Sequence, residues 1–268
     1  MIVDNLYKSI ERGKQGLNNG LSTGLSKLDT LVYGVQRKWM TVWAGDSGSG
    51  KSSVVLFTQI YNPFKQKMAN PDIDLHFLLF SFEMSAEVLL AKLLSLYIYD
   101  TYNRVLSYGD ILSLTTTISN EDLDFINDSR WWLEEFEKCC DIIDKPTTAK
   151  GLYAICKEWS RKFGTYKEIE SNENYTKEDY IPNNPEQYLI VLVDHIKLLS
   201  LSTGHTPKQE IDEACDYLIH FRNKCSFTIN IVQQFNRNFK SMERKQSESY
   251  LPSLEDKHSI YLIISINI

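Results

Sequence analysis

Gly45-Asp46-Ser47-Gly48-Ser49-Gly50-Lys51-Ser52 fills every fixed position of the pattern G-x-x-x-x-G-K-[ST]. Glycines at this spacing let the main chain fold tightly, so that successive N–H groups point inward as an anion nest. A helix that starts at the end of the loop adds the positive end of its dipole. Lys51 then reads as the charge that neutralises β- and γ-phosphates, and the Ser52 hydroxyl as a ligand for Mg²⁺. The candidate nucleotide-binding residues are Gly45, Asp46, Ser47, Gly48, Ser49, Gly50, Lys51, Ser52 and Ser53. The flanks supply the required context. Residues 40–44 (M-T-V-W-A) have the pattern of a short buried strand, and residues 51–61 carry Val54, Val55, Phe57 and Ile60 at helical spacing. Strand, loop and helix together predict a nucleotide-binding phosphate loop.

Such a loop needs a second strand that brings a carboxylate to the metal. Residues 189–194 (L-I-V-L-V-D) offer five apolar residues and then Asp194, the candidate Mg²⁺-water partner. His195 beside it reads either as polar support or as a ligand. Hydrolysis further requires a base or water-positioning group. Glu83 follows the apolar run 75–82, and in a parallel sheet the carboxyl ends of the strands meet at the ligand edge. Its alternative reading is a helix-start acid. Gln234 follows the strand pattern of residues 227–232 on that same edge, where a neutral amide can sense γ-phosphate. The next stretch, 235–246, carries Arg237, Lys240, Arg244 and Lys245 among Phe235, Asn236 and Asn238. That mixture suits nucleic-acid phosphates, and equally a solvated charge run.

Outward from these motifs the chain alternates strand and helix patterns. Helices are expected over 5–14, 85–99, 121–138, 147–163 (ending at Gly164) and 208–223, and strands over 75–82, 141–144, 188–193 and 227–232. This alternation predicts an α/β fold, a mainly parallel sheet with helices on both faces. Residues 1–20 read as a linker helix and a Gly/Asn-rich linker, residues 21–258 as one ATPase domain, and residues 259–268 as an atypical apolar tail. The polar stretch 165–187 reads as an exposed, partly mobile insertion.

Composition narrows the class. Hydrophobic content of 43% and charge content of 24% are those of a globular chain, and no apolar window is long enough for a membrane span. The N-terminus is not a signal peptide, so a cytoplasmic location is expected. Five cysteines without C-x-x-C spacing read as reduced thiols, and five scattered histidines do not suggest a zinc site. A net charge of −6 argues against a surface that grips nucleic acid all over, while leaving room for a local basic groove.

Three strings together resemble the C-terminal ATPase domain of DnaB-type replicative helicases, which has a RecA-like P-loop NTPase fold. They are Ser22-Thr23-Gly24-Leu25 with Leu28-Asp29, Ser81-Phe82-Glu83-Met84-Ser85-Ala86-Glu87, and Gln234-Phe235-Asn236-Arg237. The resemblance implies ATP and Mg²⁺ at Lys51 and Ser52, Glu83 as the activator of water, Asp194 as the Walker B acid and Gln234 as the switch glutamine. It also implies that the loop with Arg237, Lys240, Arg244 and Lys245 holds single-stranded DNA in the channel of a homo-hexamer. Residues 5–14 would dock on a neighbouring subunit, with primase or a helicase loader as further partners. Translocation would run 5′ to 3′, in the host cytoplasm if the chain is phage-encoded. The alternative class is a RecA- or clock-like ATPase that binds DNA or protein without unwinding.

The chain departs from this pattern in reading Asp194-His195-Ile196-Lys197 where the family has D-Y-L-Q, in its acidic balance, and in stopping at Ile268. On this reading the ending is truncated or frame-shifted and lacks the basic residues that reach a neighbour's γ-phosphate. That loss would cost roughly a thousandfold in hydrolysis and leave an inactive helicase fragment.

Overall fold

The computed structural model describes residues 2–46, 48–169 and 177–234. The first helix, α1 (Ile2–Lys14), has no buried residue. Its last turn fastens it to the body: Arg12 donates two bonds of 2.7 Å to Glu186, which also pairs with Arg37 at 2.9 Å. The body starts at Leu21, whose main chain exchanges hydrogen bonds with Val35. Asp29 of helix α2 (Ser26–Val32) accepts from the Ser22 hydroxyl at 2.6 Å, the Thr23 hydroxyl at 2.7 Å and the Thr23 amide at 2.8 Å. Burial works to raise this carboxyl, but the three donors outweigh it and hold it below its ordinary range. Gly24 has φ +79°, and a Cβ there would lie 2.4 Å from the Asn62 amide. The string S-T-G-L-x-x-L-D thus closes on itself and packs against the helix that follows the phosphate loop.

Strand β1 (Met40–Gly45) enters that loop, and helix α3 (Lys51–Val55) leaves it. The helix continues through a π-helical turn, Leu56–Tyr61, into α4 (Asn62–Ala69). There follow β2 (Leu75–Ser81), α5 (Ala86–Tyr102), α6 (Tyr108–Ile111), α7 (Asn120–Asp128), α8 (Arg130–Glu137) and β3 (Cys140–Ile143). Then come α9 (Ala149–Arg161), the strands β4 (Gly164–Ile169) and β5 (Lys177–Pro182), and β6 (Tyr188–Asp194). A 3-10 turn, Ile196–Leu198, α10 (Pro207–Cys225) and β7 (Thr228–Gln234) complete the described chain.

Five strands form one parallel sheet in the order β1-β7-β6-β2-β3. Helices cover both faces, which is why the central strands are apolar at nearly every position. Phe77, Leu79, Ile190 and Leu192 pack against Val55, Ile60, Phe64 and Phe136 on one face. Their alternating neighbours Leu78, Phe80, Val191 and Val193 pack against Trp159, Leu218 and Phe221 on the other. No helix among the described residues is long and apolar enough to cross a membrane. All five cysteines are free, and burial pushes the Cys139 thiol up to about 11.

Three expectations are corrected. The helix expected over 121–138 breaks at Ser129, which ends α7 and starts α8. The segment 165–187 is not simply an exposed insertion: β4 and β5 pair antiparallel from Gly164↔Pro182 inward. Tyr180 anchors this hairpin, buried, with its hydroxyl donating to the Ser160 carbonyl at 3.0 Å. Gly164 begins β4 rather than capping α9, whose C-cap is Lys162, and a Cβ there would lie 2.3 Å from Tyr180 Cζ. Residues 235–246 with Arg237, Lys240, Arg244 and Lys245, and the tail 259–268, lie outside the described residues.

Candidate functional site

The strand register brings the sequence-predicted residues to one edge. Gly45, the last residue of β1, pairs with Gln234, the last residue of β7. Asp194, the last residue of β6, pairs with Ser81, the last of β2, and Glu83 lies two residues further on. Gln234 is therefore a strand residue, not the loop residue expected from the sequence.

Within the phosphate loop, Gly48 and Gly50 adopt φ +72° and +83° with open space where a Cβ would be. A side chain at either position would be strained and would project into the cradle. Gly45 is close-packed: a Cβ would lie 2.7 Å from Ser49 Oγ. Lys51 folds back on its own loop and donates to the Asp46 carbonyl at 2.6 Å. That carbonyl holds the ammonium over the loop, where an arriving phosphate can exchange places with it.

The string Ser81-Phe82-Glu83-Met84 has a local physical reading. The Ser81 hydroxyl donates to the Met84 carbonyl at 2.7 Å and closes a turn. Phe82 is buried in the core on one side of the sheet and Met84 packs against the core on the other. Between these two anchors Glu83 is held outward and exposed. The turn is tied to β6 by the Phe82 amide, which donates to the Asp194 carbonyl at 2.6 Å. Helix α5 starts directly after it, its first amide (Ala86) bonded to Asp144 at 3.2 Å.

Asp194 is 3% exposed. Burial raises its carboxyl above the ordinary range, a hydrogen bond from the Ser52 hydroxyl lowers it, and the nearby charge of Glu83 raises it again. Its Oδ1 is buried with no hydrogen-bond partner. A buried, partly unpaired carboxylate beside a hydroxyl and a second acid is an arrangement that a divalent cation completes. The donor set Ser52 and Asp194 therefore fits Mg²⁺.

Sequence reasoning left His195 open between support and ligand; here it supports the neighbouring strand. Its Nε2 accepts the Gln234 amide at 3.0 Å, and Lys197 Nζ donates to the Gln234 carbonyl at 3.2 Å. The peptide bond between Asp194 and His195 is cis. Burial lowers the pKa of the imidazole, which favours its neutral form.

Glu210 gave no signal in the sequence because the Ala149 amide, which it ties to its own segment, is remote in the chain. It is fully buried and accepts from the Ala149 amide at 2.6 Å, the Ser202 amide at 3.0 Å, the Ser202 hydroxyl at 2.9 Å and His205 at 2.9 Å. One carboxylate thus ties the start of α9 to the loop after β6. Burial works to raise it, and the donors hold it below its ordinary value. Its contribution to stability is complete above about pH 4.3 and fades as pH falls through the lowered pKa. Glu210→Ala is expected to lower unfolding free energy by about 2–4 kcal/mol near neutral pH, by stranding buried donors. In urea titrations the gap to wild type should narrow once the carboxyl is protonated.

A parallel sheet in which one strand separates the phosphate-loop strand from an acid-tipped strand is a RecA-like P-loop NTPase fold. Residues 20–130 match the family model of the DnaB-like helicase C terminal domain. Among 124 matching chains of solved structure is that of a DnaB-like replicative helicase, described with its interactions with primase. It aligns at a TM-score of 0.63 and 17% identity, over 94% of this chain and 51% of that one. This chain thus spans about half the length of that relative, and no curated protein matches it by sequence. Residues 20–130 are thus similar in sequence to the DnaB-like helicase C terminal domain, and the chain is similar in fold to the replicative helicase over nearly its whole length.

Proposed function

We propose that this chain is the motor core of a DnaB-like replicative helicase, coupling ATP hydrolysis to translocation on single-stranded DNA and to duplex unwinding. The observation that carries the proposal is the buried Asp194 carboxylate. It has an unpartnered Oδ1, bonds the hydroxyl that follows Lys51, and stands at the edge where Glu83 emerges.

Residues 45–53 bind the triphosphate, their amides and the α3 dipole facing its charge. Lys51 leaves the Asp46 carbonyl for the β- and γ-phosphates. Ser52 and Asp194 hold Mg²⁺, which when bound would neutralise charge on the phosphate oxygens. Glu83 orients water and accepts its proton, and its exposure leaves it free to reach a water above the γ-phosphate. Gln234 responds to the γ-phosphate and passes that response to the basic residues Arg237, Lys240, Arg244 and Lys245, which hold single-stranded DNA. The apolar face of α1, with Leu6 and Ile10 exposed, docks on a neighbour in a homo-hexamer, with primase or a loader as further partners. The family expectation of 5′-to-3′ travel in the cytoplasm is part of the same reading.

Steady-state ATP hydrolysis with and without single-stranded DNA, followed by unwinding of a forked duplex, tests it. DNA-stimulated turnover with unwinding is the expected result. Stimulated turnover without unwinding would favour a RecA-like DNA-binding ATPase. Binding without turnover at high protein concentration would mark an incomplete helicase domain.

A further inference from the structure

We infer that His195 and Lys197 form a clamp on the main chain of Gln234, positioning residues that make this residue the fixed pivot between the nucleotide edge and the chain after it. The inference rests on the reading of Gln234 as the γ-phosphate-responsive glutamine.

The sheet register shows why a clamp is required. On one side β7 stays paired with β1 to its last residue, Gly45↔Gln234. On the other side its pairing with β6 ends at Val193↔Ile231, because β6 turns away after Asp194 into the 3-10 turn at Ile196–Leu198. A strand end in this position would present an amide and a carbonyl with no ladder partner. Two side chains replace the missing strand: His195 Nε2 takes the Gln234 N–H at 3.0 Å and Lys197 Nζ meets the Gln234 C=O at 3.2 Å.

Both come from the turn that begins at Asp194, so the candidate metal ligand and the glutamine are joined through one short segment. Nδ1 of the same ring lies 3.3 Å from the Lys197 amide. A neutral imidazole has one acceptor nitrogen, and the shorter contact assigns that role to Nε2. His195 is buried and is thereby held in the orientation the bond needs. With its main chain gripped on both sides, Gln234 cannot absorb a movement of its own side chain by slippage of the strand end. The displacement passes to the residues that follow.

Two measurements on the full chain test this: hydrogen exchange at the Gln234 amide, and ATP turnover with and without single-stranded DNA. The variants are His195→Phe, His195→Gln, Lys197→Met and Gln234→Ala. In His195→Phe the Gln234 amide should exchange faster than in wild type, whereas His195→Gln, whose side-chain carbonyl reaches the Nε2 position, should restore protection. DNA stimulation should fall about tenfold in His195→Phe and Lys197→Met, with KM for ATP within about threefold of wild type. Stimulation should recover in His195→Gln. Lys197 is exposed, so its variant folds even if the phenylalanine variant does not.

Unchanged exchange in His195→Phe, or full stimulation in Lys197→Met when Gln234→Ala has lost it, overturns the clamp. Full stimulation in Gln234→Ala instead overturns the reading of the glutamine, and the positioning role goes with it. Absence of any turnover in wild type sinks the ATPase reading, while the exchange measurement still judges the clamp's bond.

Discussion

Glu83→Gln is expected to lower the turnover number for ATP by about two to four orders of magnitude while leaving ATP affinity within a few-fold of wild type. The separation follows from the geometry. Glu83 is exposed at the top of a turn locked by the Ser81–Met84 bond, with Phe82 and Met84 packed on opposite faces of the sheet. Glutamine keeps the size of the side chain and leaves both anchors in place, so the fold and the phosphate loop are undisturbed. It removes a proton acceptor and one negative charge beside Asp194, whose carboxyl that charge raises. Loss of a like charge should, if anything, favour ionised Asp194 and hence metal binding. Equilibrium binding of a fluorescent ATP analogue, set beside single-turnover hydrolysis, separates the two effects. A fall in affinity as large as the fall in rate would remove Glu83 from the role of base.

Lys51→Ala should act on binding itself. The ammonium lies 2.6 Å from the Asp46 carbonyl of the phosphate loop, and on the proposed reading it is the charge that replaces water around the terminal phosphates. Truncating one partner of a desolvated charge pair costs about 2–5 kcal/mol, which is roughly thirtyfold to several-thousandfold in ATP affinity. Stability without nucleotide should barely change, because the bond that Lys51 loses among the described residues is one to a loop carbonyl. The check is thermal unfolding with and without ATP and Mg²⁺: wild type should be stabilised by ligand, and the variant should show no shift at the same concentration. An equal shift in both proteins would rule out Lys51 as a phosphate ligand.

What the sequence made legible was local. The phosphate loop is a contiguous string whose glycine positions follow from main-chain conformation, and Gly48 and Gly50 take the left-handed angles that such a loop requires. The parallel strands announced themselves as apolar runs because both of their faces are covered. The β4–β5 hairpin escaped notice because its composition is that of a solvated loop. Tyr166 and Tyr180, whose rings meet at 5.1 Å, mark its inner face. The break at Ser129 was hidden for the opposite reason: the periodicity of 121–138 continues across it.

Residues whose partners are far away in sequence were the least readable. Nothing near Glu210 forecasts its bond to Ala149, and nothing near His195 forecasts its bond to Gln234, since both depend on how strands are ordered in the sheet. Asp194 and Gln234 lie beyond residue 130, where the similarity in sequence ends, and strand register brings them to the same edge as the phosphate loop.

The attachment of α1 carries a mechanical implication. Arg12 near one end is gripped by Glu186, itself braced by Arg37, whereas Ile2, Val3, Leu6 and Tyr7 stand in solvent. A helix rises about 1.5 Å per residue, so the span from Ile2 to Arg12 is an arm about 15 Å long braced at its inner end by an ion pair. The ion pair couples the exposed part of the helix to the body at Glu186, two residues before the strand β6 that ends in Asp194. Pulling on the arm therefore loads the strand that carries the candidate metal ligand, and the joint slackens as ionic strength rises.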